Sequence, residues 1–177
     1  IDAILGIIND EYLSSFEQTK RMDPPALQSA VDAGEQQIEY EIGADENEDG
    51  KIRLSWGRVI GTYAEREKLT AMQILSDVLT GNNQAPLTKA VLEDGLAETM
   101  RLYTIDGVAN PWVKIEARNV KKENCKQVEK RIFGTLNALA NGGLDHEKLE
   151  ASMANLEFQM RERDYGSYPQ GLILGMQ

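Results

Sequence analysis

Residues 44–56, "ADENEDGKIRLSW", hold the densest set of oxygen ligands in the chain. Asp45, Asn47 and Asp49 fall at the first, third and fifth positions of a helix-flanked calcium loop, with Gly50 sixth and Ile52 eighth. Such a loop closes with a bidentate carboxylate at its twelfth position, which here is Trp56. Its flanks must also be helical, whereas "QQIEYEI" and "KIRLSWGRV" alternate apolar with polar residues. Alternation on both sides of Asp49-Gly50 predicts a hairpin with strands at 36–43 and 51–60. A cation resting on Asp45, Glu46, Glu48 and Asp49 would be adventitious. A stand-alone calcium-binding module has no other support in the chain.

The remaining reactive residue types stand apart from one another. His146 lies near Glu147 and Glu150 at a predicted helix start, but zinc needs three or four ligands, and this is the sole histidine. Cys125 falls on a predicted helix with no histidine nearby, which is the setting of an inert thiol. Glu93 and Asp94 could form an acid–base pair, yet a solvated helix C-terminus explains them as well. "YGSYPQG", residues 165–171, could touch peptide or simply break the chain before a further element. No catalytic, cofactor-binding or metal residue is therefore assigned.

The elements that would position these residues follow from periodicity. Residues 2–16 place Ile4, Leu5, Ile8, Tyr12 and Phe16 on one helical stripe, and a Pro-containing polar connector follows. After the hairpin, residues 64–79 read as a helix with Leu69, Met72, Ile74, Leu75 and Leu79 inward. Pro86 opens a short helix that Gly95 stops. "ETMRLYTIDG" and "PWVKIEARNV" are strands, and 119–143 is an amphipathic helix closed by Gly142 and Gly143. Asp145 can cap a last helix with a stripe of Leu149, Met153, Leu156 and Met160, though Lys148 cannot complete a capping box. Clustered antiparallel strands with helices on one face make an α+β two-layer sandwich.

Composition sets outer bounds. A chain of 177 residues, 41% hydrophobic and 27% charged, can bury a real core. A net charge of −10 argues against nucleic acid as a partner. No apolar run is long enough to span a bilayer, and no signal peptide is visible. The lone cysteine excludes an internal disulfide and fits a reducing compartment. The chain opens at Ile1 within a helical pattern and stops in "GLILGMQ", so it is expected to be a piece of a larger protein.

Three stretches carry a resemblance. "APLTKAVLEDGL" resembles the small-Pro-Leu-x-x-x-Leu/Val-x-x-x-Gly-Leu element of the pitrilysin and insulinase metallopeptidase superfamily. "PWVKIEARNVKKENCKQVEKRIFGTLNALANGGLDHEKLEASMANLEFQMRE" is similar to that fold's closing strand and final helix pair. "LEASMANLEFQMRERDYGSYPQGLILGMQ" resembles the presequence-protease branch, which includes falcilysin, where such a helix leads into a hairpin linker. The resemblance covers roughly residues 36–177 and implies the processing-peptidase/LuxS-like metallohydrolase fold. It matches the second of four homologous domains, with 1–35 a leading helix and connector, 36–164 the α/β domain, and 165–177 the start of the linker.

That resemblance implies a zinc metalloendopeptidase that encloses and degrades unstructured peptides. Its zinc would sit in another domain, on His-x-x-Glu-His plus a distal Glu. One histidine cannot supply that motif, so this chain is expected to be inactive alone, to hold no cofactor, and to form chamber wall. Expected partners are the zinc-bearing domain, the C-terminal half and peptide substrates, with self-association of the piece through uncovered apolar surface. The implied location is the bacterial cytoplasm, or the mitochondrion or another organelle in a eukaryote. The same fold also serves as a non-peptidase assembly subunit, as in the core proteins of the respiratory cytochrome complex, and that alternative stays open.

Overall fold

Alternation of apolar and polar residues through "WVKIEARNV" builds the central strand of the molecule. The computed structural model describes residues 1–176 except positions 18, 21, 24 and 25. In chain order its elements are α1 (Asp2–Glu11), β1 (Ile52–Val59), α2 (Arg66–Thr80), α3 (Pro86–Leu92), β2 (Thr99–Ile105) and β3 (Trp112–Val120). These are followed by α4 (Cys125–Gly142), α5 (His146–Arg161) and α6 (Gln170–Met176). Short 3-10 turns follow α1 and precede α4. The strands form one antiparallel sheet in the order β1-β3-β2. The architecture is thus the expected α+β one, with a core between the sheet and α2, α3 and α4.

Register decides which residues enter that core. Leu54 lies opposite Ala117 and Trp56 opposite Ile115, while Met100 and Leu102 meet the same two residues from the other side. Against this face pack Leu87 and Val91 of α3 and Val128 and Ile132 of α4, all fully buried. Each such side chain contributes roughly 1.5–3 kcal/mol by leaving water. The Trp56 ring meets Phe133 edge-on, with centroids 5.8 Å apart. Pro86 does open α3, and Gly95 takes a φ of +61° just beyond its end, where an L side chain would be strained.

Four details depart from expectation. The hairpin does not close: 51–60 yields β1, but 36–43 forms no strand, and β1 pairs with β3 instead. The reason is burial, because β3 offers Ile115 and Ala117 beside an apolar helix layer, whereas Ile38 stays 78% exposed. The turn chemistry survives, with Gly50 at φ +70° and Lys51 N–H donating to the Glu48 carbonyl at 3.2 Å. The helix placed at 119–143 begins only at Cys125, since Asn119 and Val120 complete β3 and Asn119 takes φ +57°.

The stripe of α5 holds only in part, with Leu149 and Leu156 half-buried. Ser152 is its buried residue and donates to Asp77 Oδ2 of α2 at 2.6 Å, while Met153 and Met160 are exposed. The leading stripe Ile4, Leu5, Ile8, Tyr12 and Phe16 lies on α1 and the turn after it, and every member is exposed, with no residue of α1 buried. Of the connector read at 20–36, positions 21, 24 and 25 lie outside the described residues. Asp145 caps α5 as expected, accepting from the N–H groups of Glu147 and Lys148.

Candidate functional site

The period-two pleat that sends Ile115 and Ala117 to the core sends Lys114, Glu116 and Arg118 to the opposite face. Cross-strand neighbours share that face. Ser55 and Arg101 flank Glu116, and Gly57 and Tyr103 flank Lys114. Arg53, two residues before Ser55, is likewise exposed. The core and its helices occupy the other face. The result is a polar surface across all three strands, bordered by α2 at the β2 edge and by Tyr40 beside Arg53.

Glu116 is its organising group. It sits on the middle strand and is only 4% exposed, in a cleft that Ser76, Asp77 and Thr80 of α2 border at the β2 edge. Its cover comes from its neighbours: Lys114 Nζ donates to Oε1 at 2.8 Å and Arg118 Nε donates to Oε2 at 2.6 Å. Burial pushes the Glu116 carboxyl up, but these two hydrogen bonds and their charges outweigh it and hold the group below its ordinary value. The Glu116 carboxylate conversely raises Lys114, against the effect of burial. The trio sets two cationic groups against one carboxylate.

Aromatic rings lie among the cations. Lys114 Nζ stands 5.8 Å from the Tyr103 ring centroid, and the Arg53 guanidinium stands 4.5 Å from that of Tyr40. Trp112 lies across Gly57, where an added Cβ would come 3.2 Å from the indole ring. Glycine at 57 therefore gives the indole its place on the sheet.

The residues singled out by type do not converge here. Asp49 N–H donates to Asn47 Oδ1, so the acidic stretch satisfies itself as a turn, and Trp56 points into the core. His146 Nδ1 is 3.4 Å from Glu150 on the exposed start of α5. Among the described residues no group of three His, Cys, Asp or Glu side chains could hold a metal ion, so the residues present do not fit zinc. The Cys125 thiol is pushed up chiefly by burial, which opposes activation. Glu93 pairs with Lys89, and Asp94 pairs with Arg131. Tyr165 carries Arg163 over its ring, and Tyr168 is exposed.

Sequence reasoning passed over Lys114, Glu116 and Arg118. The available signal was "KIEAR", in which alternate residues of one strand carry plus, minus and plus. Among the described residues no helix is long and apolar enough to cross a membrane.

Comparison with known proteins places these features in context. Residues 1–156 match the family described as the peptidase M16 inactive domain. The chain is 33% identical over 171 residues to "Protein HypA" of Clostridium perfringens, covering 96% of this chain and 18% of that protein. It is 38% identical over 108 residues to "Presequence protease 1, chloroplastic/mitochondrial" of Arabidopsis thaliana, covering 60% of this chain and 10% of that protein. Its backbone is similar to the inactive peptidase domain of a protein described as a zinc protease from Bordetella parapertussis. There the TM-score is 0.59 at 13% identity, with 75% of this chain and 70% of that one covered. The chain spans less than a fifth of the length of these two curated relatives.

Proposed function

The chain belongs to the peptidase M16 inactive-domain family, and from that premise we propose that it is the catalytically empty domain of a zinc-dependent metalloendopeptidase acting on unstructured peptides. In this reading residues 36–164 are the homologous domain, 1–35 lead into it, and 165–177 begin a linker. The zinc belongs to another domain of the same enzyme, because a single histidine cannot furnish the inverted motif. The chain contributes a wall, and its partners are the zinc-bearing domain and the second half of the enzyme.

The observation that carries this reading is the two-faced sheet. One face is sealed by helices, and the other presents Arg53, Arg101, Lys114, Arg118, Tyr103 and Trp112 around the buried Glu116. A wall needs a rigid layer behind and a polar, uncommitted surface in front. The competing role, a non-peptidase assembly subunit, asks for the same fold but no cleavage.

The test compares the chain alone with the full-length enzyme on a fluorogenic unstructured peptide. The chain alone is expected to cleave nothing with or without added zinc. The full-length enzyme is expected to cleave the peptide and to stop when a chelator is added. Chelator-sensitive cleavage by the chain alone would end the non-catalytic reading, and an inert full-length protein would favour the assembly subunit.

A further inference from the structure

We propose that the uncovered sheet face is a docking platform for acidic segments of extended peptides, selecting against basic ones. The inference rests on the reading of this face as a chamber wall and adds the charge of what the wall receives.

Charge complementarity is the argument. Four cations, Arg53, Arg101, Lys114 and Arg118, share the face with Glu116, which is already bonded to two of them, and with Asp77 of α2, which lines the cleft at the β2 edge and accepts from Ser152. The face is therefore positive in a chain whose net charge is −10. Glu98, at its Asn119 end, is engaged by the Asn119 amide. Among the described residues neither Arg53 nor Arg101 has a carboxylate within ion-pair distance, so both guanidinium forks can receive one.

Distance decides whether the local charge or the total charge governs. The screening length at physiological salt is about 8 Å. A ligand lying on the sheet thus responds to these four side chains and little to the acidic surface behind the helix layer. Three strands spaced about 4.8 Å apart make a strip the width of one extended segment. Carboxylates at alternate positions of such a segment recur every 6.5–7 Å or so, matching the same-face spacing of the strand residues beneath. Trp112, beside Gly57, and Tyr103, beside Lys114, supply apolar area on the same face for the residues between them. A basic segment would bring cations against four others, with two carboxylates, Glu116 and Asp77, that are already hydrogen-bonded.

Fluorescence anisotropy of the 177-residue chain tests this with two labelled, flexible 12-residue peptides. One carries Glu at alternate positions, and the other carries Lys at the same positions. The acidic peptide is expected to bind at least about tenfold more tightly, and its affinity is expected to fall several-fold on going from low to physiological salt. Arg53→Glu with Arg101→Glu is expected to reverse the preference, with thermal unfolding reporting that the fold is intact. Arg101→Gln, a neutral change on an edge strand, should weaken acidic binding by itself and keeps the test decisive if the double variant does not fold.

Equal binding of the two peptides, or tighter binding of the basic one, would overturn the proposal. So would equal binding of single-stranded DNA with the same charge, which would mark a general polyanion patch. Cleavage by the full-length enzyme together with charge-blind peptide binding would remove this inference and leave the domain assignment standing. A preference for the acidic peptide in a full-length protein without peptidase activity would do the reverse.

Discussion

The two faces of one strand, β3, are made from alternate residues and solve opposite problems. Ile115 and Ala117 face helices and are held by exclusion of water, a term that grows with apolar area and needs no particular partner. Lys114, Glu116 and Arg118 face outward and are held by two short charge-assisted hydrogen bonds. The first face closes the fold. The second stays open yet ordered, because each long side chain is fixed by its neighbour rather than by an overlying layer. A sheet with two apolar faces would demand a second helix layer, and one with loose polar residues would offer nothing preorganised.

The sharpest way to break the comparison is to cut a side chain from the sealed face. Ile132→Ala removes a fully buried contact of α4 with the sheet and is expected to cost about 2–5 kcal/mol in urea unfolding. A loss below about 1 kcal/mol would mean that this core is loosely packed.

On the open face, Glu116→Gln should cost less, about 1–2 kcal/mol at neutral pH, because Lys114 and Arg118 can turn to water. The effect also depends on pH. Folding depresses the Glu116 carboxyl, so its stabilisation is present above the unfolded value near 4.5 and is lost as pH falls through the folded one. The two proteins should therefore differ in melting temperature at pH 7 and converge as the pH drops below 4.5. A difference unchanged down to pH 2 would show that the charge of Glu116 is not what the trio uses.

The smallest effect concerns the seam between the faces. Thr80 Oγ1 of α2 accepts from Leu102 N–H of β2 at 3.0 Å and so covers that edge of the sheet. Thr80→Val should cost about 1 kcal/mol and speed hydrogen exchange at the Leu102 amide ahead of the β3 amides. Equal exchange in both proteins would place the protection in the helix layer as a whole.

Much of this was legible before folding was considered. Pro86, the αL-prone Gly95 and the Asp145 cap are local devices, and each acts where the sequence puts it. Errors arose where two local solutions compete. Residues 36–43 alternate as well as a strand should, but they carry Glu39 and Glu41 beside only three apolar residues, and β3 outbids them with a buried face. In α5, Leu149 and Leu156 of the expected stripe are half-buried beside Ser152, and the Ser152–Asp77 hydrogen bond leaves Met153 and Met160 to solvent. The candidate site was legible only in part, since "KIEAR" displays the trio but neither Arg53 nor Arg101 stands near it in sequence.

By itself the sequence determined most of the helices and strands, the turn at Gly50 and, through one histidine, the lack of an inverted zinc motif. Those properties depend on residues within a turn or two of each other, or on composition alone. Tertiary structure decided that β1 pairs with β3, and therefore which cations meet across the open face. Pairing between residues as far apart as Trp56 and Ile115 depends on which faces can be buried together, and that is a property of the assembled layers.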